Sequence, residues 1–590
     1  MRMNWKNGLI LVALAVVVAL PFWFRRAPEA GDWKEGDPVL VVITPDNEAI
    51  RHEFAAGFSK WHLEKYGVPV KVDWRNIGGT SEIVRYLKSE FVSSFKAWWE
   101  RGGRKWRADG ESALLDKGWR ADAPAPEGTD AADWAERQGL VAAFRSVDDA
   151  GEFGTGMDVW FGGGAVDMDG LERLGMLVPA WPEGEEPEGL FATPDGRELI
   201  PAQISGETWR TGTFYGSTLS TFGICFNRDR MAALGIVEEP TSWRDLADPR
   251  WRGTLGTADP TKSGSVAKAF ETILQVACRD AVEAAGFLEK ADEWEAAIAA
   301  SGLPPGEMPE GVPEEYQAAV ERGWAEGIRL IRRIGANARY FTDSASKVPL
   351  DVGAGNAAAG ICIDFYGLFE AEIANGGRAD GAMDYATPPG ESGVSADPVA
   401  VLRGAPHPEL ARRFVEFTLC EEGQKLWCYR VGEPGGPVRY ALLRAPIRRD
   451  FYPSDDPEFQ ASFERHNPHC SRPLDTPSTD AFELARRYVY HKRWTAGYFS
   501  VLRELIRAMC LDSGQELRAA WAAICEVGGE AAVPEAVAAF DALPDVPEPL
   551  TWRDGLSVMR RHDRQDLLRD WTAHFRRQYR EAERLAKAGK

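Results

Sequence analysis

The residues best suited to chemistry lie in the loop Asp259-Pro260-Thr261-Lys262-Ser263-Gly264-Ser265. It joins a strand-like run, Gly253 to Ala258, to a helix that opens at Lys262 or Ser263. Hydroxyls and backbone N–H groups collect at that helix start, where the peptide dipoles favour negative charge. The chemistry is therefore binding of an anion or a polar ligand by Thr261, Ser263 and Ser265. Similar polar loops recur at other strand ends: Thr44 with Asp46, Gly79 with Thr80 and Ser81, Gly163 with Gly164, Ser217 with Thr218, and Asp364 with Tyr366. Each alone has a plainer reading. Thr80 or Ser81 serves equally as a helix cap contributing about 1 kcal/mol, and Tyr366 as packing at a cleft edge. As a set they point to one cleft, because open α/β sheets bind ligands beyond the carboxyl ends of their strands.

Catalytic patterns are missing. The chain has no G-x-S-x-G elbow, no H-E-x-x-H and no paired His/Cys zinc spacing, and only 8 histidines. Gly256 to Ser263 nearly matches a nucleotide phosphate loop. Thr261 replaces the glycine that lets such a loop wrap a phosphate, and Pro260 removes an N–H donor. Gly353 to Gly360 imitates a dinucleotide fingerprint with the wrong spacing, and it precedes its strand. No enzyme activity and no resident cofactor are expected.

The elements that would position these loops follow from hydrophobic period. Val39 to Ile43 is a continuous apolar run of the buried parallel type, and Val70 to Trp74 alternates. Ile50, Phe54, Phe58 and Trp61 mark one face of the helix between them. Met157 to Phe161 leads into a glycine turn, Thr218 to Asn227 is β-rich, and Ala357 to Gly367 reads as a strand and turn. Ser395 to Val401 is a further strand, and Pro408 to Tyr429 a single helix with Pro408 in its first turn. Lys96 to Gln138 and Glu289 to Glu321 break the pattern and read as insertions. Beyond Arg449 the chain is mostly helical. Its last segment sets Leu568, Trp571, Phe575, Tyr579 and Ala582 at helical spacing among arginines, which suits packing on the rest of the protein or contact with a membrane surface.

Several blocks resemble a known family. "FGICFNRD", then "PTSWRDL", then "WRGTLGTADPTKSGS" occur in succession, with "VDWRNIGGTSEIVRYL" before them and "HPELARRFVEF…EEGQ" after. They resemble the periplasmic solute-binding proteins of ABC importers, in the group that binds ferric ion, thiamine, polyamines and phosphonates. The resemblance implies an α/β fold: a two-lobed type II periplasmic-binding-protein clamshell with mixed sheets, here with helical insertions and a C-terminal helical extension. It implies one lobe from residues 37–220 plus about 396–450, a second from 221–395, and an extension over 451–590. It further implies a small-molecule or metal-ion ligand, an ABC permease partner in the inner membrane, and hinged closure of a monomer. Ferric binders of this group present two consecutive tyrosines at the position resembling Phe365-Tyr366; Phe365 cannot ligate. Iron would then rest on Tyr366 with Asp364 or Asp46, as cargo rather than cofactor. The helix starts at Thr80–Ser81 and Ser263–Ser265 favour a phosphate, phosphonate or carboxylate instead. A secreted or anchored enzyme or sensor on the same fold is the alternative.

At 590 residues the chain accommodates more than one domain. Its net charge of −21 excludes a general nucleic-acid binder, which needs a basic surface. Arg2 and Lys6 precede an apolar run from Gly8 to Phe24, followed by Arg25-Arg26. Residues 1–30 are a cleaved export signal or an uncleaved membrane anchor, and either places the rest in the periplasm or otherwise outside the cytoplasm. The 8 cysteines form no C-x-x-C, and their pairing does not follow from sequence. Cys420 and Cys428 are expected on one helix face, and Cys225 and Cys362 as small buried hydrophobes.

Overall fold

The coordinates are a computed structural model, and the structure describes residues 33–589 apart from 147–151, 304–306, 377, 379–380 and 477. The amino-terminal apolar run lies outside the described residues. Among the described residues, no helix is long and apolar enough to cross a membrane.

The chain opens with β1 (Val39–Ile43), α1 (Glu48–Tyr66), β2 (Lys71–Arg75) and α2 (Thr80–Arg101). Asn47 caps α1 by accepting from the Ile50 N–H, and Ile50, Phe54 and Phe58 bury its inner face. β3 (Val159–Phe161) and α3 (Ala165–Glu172) follow, then the short strands β4 (Leu177–Val178), β5 (Gln203–Ile204) and β6 (Glu207–Thr208). The long strand β7 (Phe214–Asn227) is buried throughout. Then come β8 (Leu255–Ala258), α4 (Gly264–Ala284), α5 (Glu314–Asn337), β9 (Ala338–Thr342), β10 (Ala359–Ile363) and α6 (Asp364–Asn375). β11 (Met383–Ala386), β12 (Val394–Leu402), α7 (Pro408–Leu419), α8 (Glu421–Cys428) and β13 (Ala445–Pro446) complete the mixed α/β body. The remainder is mostly helical and includes α9 (Phe499–Ile506) and α10 (Arg564–Ala588).

One 11-stranded mixed sheet runs in the order β2-β1-β3-β12-β7-β10-β8-β9. β1 pairs in parallel with β2 and β3, and β8 in parallel with β9 and β10. The antiparallel partners of β7 change along its length. Phe214 to Thr221 pair with β12, and Phe222 to Asn227 pair with β10 and β11. The sheet thus divides into two lobes that share β7.

Side-chain alternation gives each lobe two cores. In lobe 1, Val159 and Phe161 face the helices α1, α7 and α8, while Trp160 faces α2 and α3. In lobe 2, Phe222, Ile224 and Phe226 face α4 and α5, while Cys225 faces Cys362 and Tyr385. Residues 96–138 join the second lobe 1 core through Ala113 and Leu114, with Leu140 and Phe144 close behind. The C-terminal segment belongs to both lobes. Phe459, Phe463 and Phe482 pack into lobe 1, and Trp494, Leu505, Trp571, Phe575 and Tyr579 into lobe 2. The apolar stripe of α10 is therefore lobe 2 core.

Two local expectations are corrected. The helix expected over Pro408 to Tyr429 is broken at Cys420, whose ψ of 167° is extended. The second piece doubles back so closely that a methyl group on Gly423 would collide with the Phe417 carbonyl oxygen, 1.9 Å away. Cys420 and Cys428 hence do not share a continuous helix face. The turn expected at Asp364–Tyr366 is instead the first turn of α6.

Candidate functional site

Between the lobes lies a cleft of about 690 Å³. Lobe 1 lines it with Asp46, Asn76, Gly79, Thr80, Gly163 and Gly164; lobe 2 with Lys262, Ser263, Ser265, Lys268 and Tyr366. These come from loops at the strand ends after β1, β2, β3, β8 and β10, the edge where such sheets take ligands.

The starts of α1, α2, α3 and α4 all reach this space. α1 and α4 are capped from within, Asn47 accepting from Ile50 and Ser263 from Val266. The caps of α2 and α3 are Gly79 and Gly164, which have no side chain to accept from the N–H groups beyond them. Those two starts are left for a ligand or water to satisfy. The turn before α3 needs its glycines: Gly162 and Gly163 have φ of +84° and +94°. A methyl group on Gly162 would sit 2.7 Å from Asp46 Oδ2.

The remaining expected residues are placed differently. Ser217 and Thr218 are buried in β7, donating to the carbonyls of Asp397 and Ala445. Pro398 has no N–H, the register slips between Asp397 and Pro398, and Ser217 serves the carbonyl at that slip. Thr44 accepts from the Asp46 N–H in a tight turn and is fully buried. The Thr261 hydroxyl donates to Asp259, and Ser81 accepts from Arg503. Asp364 accepts from the backbone of Thr221 and borders a smaller pocket of about 50 Å³ behind Arg444. None of Thr44, Ser81, Ser217, Thr218, Thr261 and Asp364 lines the cleft itself.

The charges that matter most there were missed from sequence. Arg444 is 3% exposed; its Nη2 lies 2.6 Å from Asp397 Oδ2 and also donates to Ser220. Burial opposes its charge, but Asp397, Asp364 and Asp46 outweigh that and hold its pKa above the usual value. The preceding residue, Leu443, has φ of +56°, a strained setting for a leucine that aims Arg444. Burial pushes Asp46 up to about 7 and Asp364 up to about 6, with Arg444 opposing both shifts. Burial likewise raises the Tyr366 phenol. On the other side, Lys268 lies 2.8 Å from Glu207 and 3.0 Å from Glu271. A signal for this pair was present, since Lys268 and Glu271 interrupt the apolar face of α4. Nothing marked Arg444, which precedes a strand of 2 residues. Among the described residues, no group of His, Cys, Asp and Glu could hold a metal ion.

Residues 187–443 match the family described as bacterial extracellular solute-binding protein. An uncharacterized protein of Haemophilus influenzae is 24% identical over 295 residues, which is 49% of this chain and 66% of that protein. The periplasmic binding protein AfuA of Actinobacillus pleuropneumoniae, solved with fructose-6-phosphate, is 16% identical, covering 80% of this chain and 98% of its own at a TM-score of 0.46. Iron-bound HitA of Pseudomonas aeruginosa is also 16% identical, with 80% and 99% covered at 0.36. The matched residues hold β7 and the cleft loops of lobe 2, so the similarity to bacterial extracellular solute-binding proteins falls on the part of the chain that builds the lobe 2 side of the cleft.

Proposed function

We propose that this protein works outside the cytoplasm as the solute-binding component of an ABC importer. It would hold between its lobes a small organic anion bearing a phosphate, phosphonate or carboxylate group, and present it to the permease as a monomer. We propose lobe boundaries at 37–220 with about 396–450 and at 221–395, followed by the extension 451–590. The observation that carries the ligand reading is the pair of uncapped helix starts at Gly79 and Gly164, opening into a cleft that also holds Arg51, Lys262 and Arg444. The acidic residues Asp46, Glu48, Glu82 and Asp343 around the same cleft suit hydroxyl or amine groups on the rest of such a molecule.

The test is a thermal-shift screen of the protein lacking residues 1–30. The panel is inorganic phosphate, phosphorylated sugars, phosphonates, polyamines, thiamine and ferric ion. A solute at a hundred times its Kd stabilises by about 2.7 kcal/mol. Stabilisation is expected from the phosphate- or phosphonate-bearing members, weakened by Lys262→Glu. A visible charge-transfer band with ferric ion that disappears in Tyr366→Phe would replace this reading with iron. Turnover of a solute without its retention would replace it with an enzyme.

A further inference from the structure

The lobes of this protein are joined by more than the shared strand β7 and the chain entering β12. After packing Phe482 and Ala485 into lobe 1, the C-terminal segment passes to lobe 2, where Trp494 enters the core. On the way, the Tyr490 N–H donates to the Ser205 carbonyl between β5 and β6, 2.8 Å away. The Tyr490 hydroxyl donates to Glu271 of α4, also at 2.8 Å. This is a third crossing between lobes, and it lies outside the family-matched residues.

Beyond the crossing, α9 is set in lobe 2 by Val501, Leu502, Leu505 and Ile506. From there Phe499 reaches the cleft wall, and Arg503 reaches both lobes. Arg503 Nε donates to the Pro260 carbonyl at 2.6 Å and Nη2 to the Thr261 carbonyl at 3.2 Å, both in lobe 2. The same Nη2 lies 2.7 Å from Ser81 Oγ, at the start of α2 in lobe 1. Asp167 of lobe 1 is the strongest acidic influence on Arg503 and is partly neutralised by it in return. The lobes touch beside this link. A methyl group on Gly79 would lie 3.3 Å from the Lys262 carbonyl oxygen, and one on Gly264 would lie 3.6 Å from Asp167 Oδ2. The buried Lys268–Glu207 pair ties α4 to β6 on the crossing side.

We propose that the C-terminal extension is a clasp, with Arg503 a positioning residue that holds the two lobes together across Ser81 before any ligand arrives. A guanidinium suits this role because its planar donors satisfy two carbonyls and a hydroxyl at once. The cost of assembling the cleft is then met by the protein's own contacts, and a ligand binds a preformed site.

Small-angle X-ray scattering of the ligand-free protein tests the clasp. No solute is present, so the outcome stands apart from whether the cleft takes the anion proposed above. Wild type is expected to scatter with its lobes in contact, as they are across Arg503 and Ser81. Arg503→Ala is expected to shift to a larger radius of gyration, with Arg503→Lys falling between the two. Ser81→Ala, which removes only the lobe 1 acceptor and leaves every core contact in place, is expected to shift the same way and guards against misfolding of the arginine variant. An open wild type, or unchanged scattering in both Arg503→Ala and Ser81→Ala, overturns the proposal.

Discussion

Arg444 Nη2 and Asp397 Oδ2 sit 2.6 Å apart, with their side chains 2% and 13% exposed. Breaking a buried pair by removing one partner costs about 3–5 kcal/mol, because the other charge stays behind unpaired. Arg444→Met is therefore expected to lower unfolding stability by about that amount, measured by urea denaturation. The double variant Arg444→Met/Asp397→Leu should recover part of the loss. Failure to recover any would show that Asp364 and Asp46 depend on Arg444 as much as Asp397 does.

Asp46 gives a pH signature. Its folded pKa of about 7 lies above the ordinary 3.8, because burial disfavours the carboxylate. The fold thus favours the protonated acid. The stability this contributes is full below pH 3.8 and is lost as pH rises through 7. Asp364, raised to about 6, acts in the same direction. Asp46→Asn should gain on the parent steadily between pH 4 and pH 8, read as the difference in Tm. A constant difference across that range would count against the raised pKa.

Gly163 and Gly164 separate backbone strain from cleft shape. Alanine at Gly163 meets a φ of +94° and a Thr80 methyl carbon 3.1 Å away, whereas at Gly164 its nearest neighbour is an Asp167 oxygen at 3.6 Å. The left-handed backbone alone costs about 1–2 kcal/mol. Gly163→Ala should lower Tm and weaken solute binding, while Gly164→Ala should leave Tm nearly unchanged. Equal effects would mean that the turn does not depend on its left-handed glycine.

The last helix offers a test of packing against surface roles. Phe575 is fully buried and Arg577 is exposed on the same helix. Phe575→Ala is expected to cost about 3–5 kcal/mol, and Arg577→Ala less than about 0.5 kcal/mol. Calorimetry of both variants checks this. Binding to anionic vesicles weakened by Arg577→Ala would instead restore the membrane-surface reading of this helix.

Much of the α/β body was legible because its strands are short apolar runs and its helices carry clear stripes. Val39 to Ile43 and Ile50, Phe54 and Phe58 announce themselves by period alone. The cleft was legible only where a loop follows a strand, as at Gly79, Gly163 and Ser263. Ser217 and Thr218 looked similar in sequence, yet they sit inside a continuous 14-residue strand whose hydroxyls serve backbone carbonyls. Arg444 and Arg503 left no local pattern. Each acts through partners far along the chain: Asp397 lies 47 residues from Arg444, and Ser81 lies 422 from Arg503. Pairings at that separation have no period to read.

The sharing of cores between distant segments also sets an order of events during synthesis. The lobe 1 sheet begins at β1 and is finished by β13, so it stays incomplete until Pro446 has been made. The lobe 2 core includes Ala586, near the end of α10. A growing chain of this protein exposes unfinished apolar surface until those residues have been made, and the contacts that finish its cores are long-range ones, which form slowly. Lobe 2 therefore cannot close its core until α10 has been added.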